Sequence, residues 1–278
     1  LWFFLICKER VMQSVETPSV KASIKSIINN KPILLMTLSQ ILGSFAVGGS
    51  KQDYYIDVLN FASLGLITGI PGSIINPFSY MAVPWFRRHF SSRFLYIIGN
   101  KIDGILLVPV FLVGCIGGKK HGLYKNIWVM GIAMMLWETI FMIFYGVRRI
   151  IPTEMYNEAM DYCEWKNGYR TEGMTSVAQG LASKLASIFS RYISNYIKQL
   201  IGYDLTRYVR GTAQTDETKF GLFAMFTIVP FLTGMISIIP MLFYDLSGKK
   251  KEKMYEELLE RRAAMSKEAT SGDLEALE

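Results

Sequence analysis

The chain has 278 residues, 51% of them hydrophobic and 13% aromatic, and a formal net charge of +7. Apolar residues gathered in recurrent long runs exclude an ordinary soluble enzyme and place the sequence in the membrane class. The positive balance does not indicate nucleic acid as a partner, because Lys and Arg sit beside the apolar runs and in the tail, where they set membrane topology.

Leu1 to Cys7 is an apolar run that stops at Lys8-Glu9-Arg10. It is too short to span and has no basic leading region, so residues 1–7 read as the end of a truncated transmembrane helix. Residues 8–32 read as a cytoplasmic central loop. Within it Thr17 is a helix N-cap, Pro18 takes the first helical position, and Val20, Ile24, Ile27 and Ile28 share one face. This predicts an amphipathic helix lying along the membrane surface or against the ends of the spans. Cys7, Cys115 and Cys163 lie far apart without metal-ligand spacing, which predicts free thiols.

Six candidate spans follow, at residues 33–50, 61–86, 94–116, 127–147, 173–197 and 220–244, each near the ~20 residues that a bilayer core requires. Counted on alternate sides of these spans, nineteen Lys and Arg fall on the side carrying Arg87, Arg88, Arg148 and Arg149, against seven on the other. The richer side is the cytoplasmic one, which puts both ends of the chain inside. The plan is a six-helix bundle over residues 33–245 and a charged cytoplasmic tail over 246–278, exposed as a helix or disordered.

Several polar residues stand inside the spans. Pro71 and Pro77 predict a kink in the second span. Beside the carbonyls they free, Asn76 is open to two readings, plain packing or the lining of a cavity. Lys101 and Asp103 are two apart, point to different faces and need separate partners, and Lys101 is close enough to the inner interface to snorkel there. Glu138 shares a helical face with Met134, Phe141 and Tyr145, a pattern that fits one wall of a polar cavity where rings stack on a sugar. In the fifth span Ser176, Gly180, Ser183, Ser187, Ser190 and Ser194 form a small-residue face suited to close helix packing. Lys184 and Arg191 align beside it, and two cations there must face water or carboxylates. The acids available are Glu138, Asp103 or groups on helices outside this chain. No phosphate loop, zinc spacing or catalytic triad is present, and His89 and His121 fall on opposite sides of the membrane, so neither an enzyme nor a cofactor is expected.

The connector after the fourth span is dense in charge, with Glu154, Glu158, Asp161, Glu164, Lys166, Arg170 and Glu172. Its stretch DYCEWKNGYRTEG, from Asp161 to Gly173, resembles the loop between helices ten and eleven of the glycoside-pentoside-hexuronide cation symporters. Gln179 and Lys184 fall where that family carries a Gln and then a Lys. Asn30-Lys31-Pro32, opening a span whose far end carries Tyr54-Tyr55, is similar to the family as well. Asn157 and Glu158 depart from its usual small residue and Asp while keeping the negative charge.

The resemblance implies an all-α membrane protein, the carboxyl-terminal, six-transmembrane-helix half of a major-facilitator transporter fold. It implies cation-coupled symport of a sugar or glycoside by alternating access in the cell membrane, driven by Na+ or H+. The partners would be the sugar, the coupling cation, the lipid bilayer and a missing amino-terminal half that holds the main binding acids. Gln179 and Lys184 are the substrate or coupling residues carried over, with Tyr54 and Tyr55 beside them, and Glu138 and Asn76 join them from their placement in the spans. Asp161, Glu164, Arg170 and Glu172 are read as a cytoplasmic gate. A lipid or drug transporter of the same fold, and a non-transporting scaffold or sensor, remain as alternatives.

Overall fold

In a computed structural model of the chain, residues 25, 28–204, 206 and 213–275 are described, with backbone alone at 265–275. Residues 1–7 and most of the amphipathic segment from Thr17 lie outside the described residues, as does Cys7. The described helices are α1 (Lys31–Ser44), α2 (Lys51–Asp57), α3 (Leu64–His89), α4 (Ser92–Cys115), α5 (Ile127–Ile143), α6 (Tyr145–Asn167), α7 (Glu172–Leu200), α8 (Asp216–Gly234) and α9 (Lys249–Glu275), joined by short helical turns. No strand occurs among the described residues. The chain divides into two compact units. The smaller comprises residues 1–34, 156–178 and 245–278, the larger residues 35–155 and 179–244.

Helix starts follow from side chains that satisfy orphan amides. Ser50 accepts from the Gln52 N–H at the start of α2, Ser91 from Phe94 at α4, Asn126 from Trp128 and Val129 at α5, and Thr215 from Thr218 at α8. Among the described residues three helical stretches are long and apolar enough to cross a membrane, Ser92–Cys115, Ile127–Asn167 and Asp216–Leu242. Six were expected. α3 and α7 have the length, but Asn76 and the prolines of α3, and the serines and cations of α7, dilute their apolar character.

The expected span at 33–50 is not one helix. α1 stops at Ser44, the chain unwinds through Phe45 to Ser50, and α2 restarts at Lys51. Consecutive glycines each lower helix propensity by about 1 kcal/mol, and Ser50 caps the new helix. The glycine backbone also packs where a side chain would not fit, since a Cβ on Gly48 would lie 2.8 Å from Pro230 Cγ. α3 runs without interruption through Pro71, Pro77 and Pro84. The charged connector is helical too. α6 continues through Pro152 to Asn167, and Gly168, at φ 80°, turns the chain toward α7.

The core of the larger unit is aromatic. Tyr54, Tyr124, Phe223 and Phe226 pack with ring centroids 5.4–5.8 Å apart, and the Tyr54 hydroxyl donates to the Tyr124 carbonyl at 2.6 Å. α3 lies along α5, and α4 packs against α5 and α8. In the smaller unit Ile33, Ala159 and Met160 are buried together, and Asn30 donates to the Ala159 carbonyl at 2.8 Å. Met254 and Leu258 of α9 are also buried, so the tail is a packed helix rather than a free one. Cys115 and Cys163 form no disulfide among the described residues.

Candidate functional site

In the larger unit the site is built on α7. The side chains of Gln179, Ser190, Ser194 and Lys198 recur at helical spacing and bond to α1, the unwound stretch and α2. Gln179 donates to Thr37 Oγ1 at 2.6 Å, Ser190 donates to the Ala46 carbonyl at 2.9 Å, and the Gly48 N–H reaches Ser194 Oγ at 3.4 Å. Lys198 stands 2.5 Å from Asp53. Ser190 and Ser194 therefore help to hold α7 against the unwound stretch. Lys184 and Arg191 border this row on α7. Both are exposed, and neither side chain makes a hydrogen bond or ion pair among the described residues.

The acids that could have neutralised these cations are engaged elsewhere. Glu138, its side chain 13% exposed, lies 3.0 Å from Lys51 and accepts from Thr68 at 3.3 Å. The Lys51 ammonium also sits 5.8 Å from the ring centres of Tyr55 and Trp137. Tyr55, through a 3.4 Å contact between its hydroxyl and Thr68, belongs to the same group. Asp103 faces Arg148 at 3.5 Å. Lys101 does not snorkel but donates to the Gly234 carbonyl at 2.6 Å. Tyr54 stays in the aromatic core, and the half-buried Asn76 keeps a buried Oδ1 with no hydrogen-bond partner among the described residues. In the sequence Lys51 stands just beyond an expected unbroken span, where a lysine reads as a loop charge, and nothing there marks it as a partner of Glu138.

In the smaller unit all four residues read as a gate meet. The Arg170 guanidinium lies 2.8 Å from Asp161 and 3.4 Å from Glu164, and its Nε donates to Glu172 at 2.7 Å. α9 adds a second guanidinium. Arg262 reaches Asp161 at 3.0 Å and Glu164 at 2.6 Å. Its hydrogen bond to Glu164, with that to Asp161, holds the guanidinium above its usual range despite partial burial. Trp165 donates to Glu257 at 2.6 Å, and Lys251 pairs with Glu158. None of these tail partners was foreseen. The signal was available, since Lys251, Met254, Leu258 and Arg262 recur at steps of three and four on one helical face. Among the described residues no group of His, Cys, Asp and Glu could hold a metal ion.

Residues 2–248 match the family described as MFS/sugar transport protein. The chain is 23% identical to a glucuronide carrier protein homolog of Escherichia coli K12, an alignment covering 93% of this chain and 54% of that protein. It is 23% identical to an inner membrane symporter of the same organism, over 98% of this chain and 56% of the relative. It is 24% identical to an isoprimeverose transporter of Lactiplantibacillus pentosus, over 94% and 52%. The chain thus spans about half the length of these relatives.

Proposed function

The chain belongs to the MFS/sugar transport protein family, and from that premise we propose that it forms the carboxyl-terminal, six-helix half of a cation-coupled sugar or glycoside symporter working by alternating access. The membrane fold and the transporter relatives support the coarse reading. The observation that carries the finer one is Lys184. It lies near the middle of α7 and is exposed, while Glu138 and Asp103 are already held by Lys51 and Arg148. An intramembrane cation without a local acid needs a partner, and the half that this chain does not span is its source.

In this reading carboxylates of the other half hold the Lys184 ammonium until Na+ or H+ competes for them. The lysine then swings to complete a sugar site with Gln179. Glu138 fixes Lys51 and Tyr55 on the same wall, Tyr54 buttresses that wall from the core, and Asn76 offers a buried acceptor. Asp161, Glu164, Arg170 and Glu172 gate the cytoplasmic side, which the Lys and Arg asymmetry assigns to both chain ends.

The test is Lys184→Ala in the full-length protein, with sugar binding measured with and without the driving cation. The expected result is normal expression and thermal stability with no cation stimulation of binding. Stimulation equal to that of the parent protein would refute the coupling role. Loss of expression or stability instead would identify Lys184 as a structural counter-ion.

A further inference from the structure

The unwound stretch from Phe45 to Ser50 lines a cavity of about 460 Å³ that is also bounded by Ser190, Arg191, Ser194, Asn195 and Lys198. Irregular backbone at membrane depth is tolerated only where protein buries it or water fills a cavity beside it, and broken helices mark binding sites in transporters. Much of the backbone here is already satisfied. The Gly49 N–H donates to the Met225 carbonyl at 2.7 Å, the Val47 N–H to Thr233 Oγ1 at 3.1 Å, and the Ala46 carbonyl accepts from Ser190. A ligand must therefore be recognised mainly by side chains.

Those side chains carry an unbalanced charge. Lys198 is neutralised by Asp53 at 2.5 Å. The nearby Asp57 accepts from the Tyr203 hydroxyl at 3.0 Å, and Glu138 is held by Lys51. Arg191 alone among the cavity's cations has no acid among the described residues. Arg191, Ser194, Asn195 and Lys198 stand at i, i+3, i+4 and i+7, so one helix face presents a guanidinium, a hydroxyl and a carboxamide together.

We propose that this cavity is a subsite for the anionic substituent of an acidic sugar, a carboxylate or sulfonate gripped by Arg191 and oriented by Asn195 and Ser194. The planar guanidinium fork matches two oxygens of such a group at once, which an ammonium cannot do. The volume falls within the range of small-ligand pockets. The inference rests on the transport reading and sharpens it, because it selects acidic over neutral sugars. A carboxylate on the missing half could supply the same chemistry, and the two sources predict different variants.

The experiment uses the full-length protein in vesicles, with uptake of methyl β-D-glucuronide and methyl β-D-glucoside followed for the parent protein, Arg191→Gln and Arg191→Lys, alongside thermal stability. The parent protein should prefer the glucuronide. Arg191→Gln should weaken glucuronide uptake by about tenfold or more, the effect of losing a charge-assisted hydrogen bond, and spare the glucoside. Arg191→Lys should recover part of the loss. Equal loss for both sugars, or a fall in stability, would assign Arg191 to an acid of the other half and overturn the subsite. Uptake of the glucoside alone by the parent protein would also overturn it and leave the transport reading standing. Uptake of neither sugar by correctly inserted protein would overturn both.

Discussion

Glu138 sits among apolar neighbours with an ammonium 3.0 Å away, and that geometry makes the pair more consequential than an exposed one. Glu138→Gln keeps an acceptor for Thr68 but leaves Lys51 with only the rings of Tyr55 and Trp137. The expected cost is about 1–3 kcal/mol, read as a lower midpoint of thermal unfolding. Adding Lys51→Met should restore most of it, because the charge left behind is then gone too. Equal losses that simply add would show that the two side chains do not depend on each other. Residue type alone marked Glu138 and Lys184 as ionisable groups within expected spans. Their partners were not legible. Lys51 reaches Glu138 from α2, after the chain unwinds at Gly48 and Gly49, where Pro230, far away in sequence, leaves no room for a Cβ on Gly48.

Helix contacts set the next scale. A Cβ on Gly146 of α6 would lie 2.6 Å from the Ser79 carbonyl of α3, so Gly146→Ala forces two backbones apart. The expected loss is about 1–3 kcal/mol of stability, and an unchanged unfolding midpoint would contradict the packing. α9 is anchored by Met254, Leu258 and Arg262, and Leu258→Ala together with Arg262→Gln should expose residues 249–264 to limited proteolysis. Cleavage no faster than in the parent protein would sink that docking. Near its start Asp245 accepts from Lys31 and Lys250. Burial opposes the charge, but these two hydrogen bonds outweigh it and hold the carboxyl below its usual range. A depressed folded-state value means that the stabilisation is present above about pH 4 and fades as pH falls further. Asp245→Asn should therefore flatten the acid limb of protease resistance. Most helices were legible from apolar length. The extension of α6 to Asn167 was not, because Pro152 and a run of charges imitate a loop when the packed α9 that matches those charges is left out of account.

At the scale of the molecule the decisive feature is the free face of α7. Leu181, Leu185, Ile188 and Tyr192 are exposed on it together with Lys184 and Arg191. Lipid can cover the apolar groups but not the cations, each of which costs about 2.5–3.5 kcal/mol near the centre of a spanning helix. In the proposed transporter, carboxylates of a second half remove that cost for Lys184, an acidic substrate meets Arg191, and the second half supplies the opposing wall that alternating access requires. Residues 1–278 alone should therefore insert poorly or aggregate, and vesicles containing only this segment should take up no more sugar than empty ones. Co-expression with the proposed amino-terminal half should restore uptake, provided that the acids facing Lys184 are intact. Replacing those acids by amides while keeping both halves should return uptake toward the background. Substantial uptake by residues 1–278 alone would mean that α7 finds its counter-charges in a second copy of this chain, and the proposed division of labour between two unlike halves would fall.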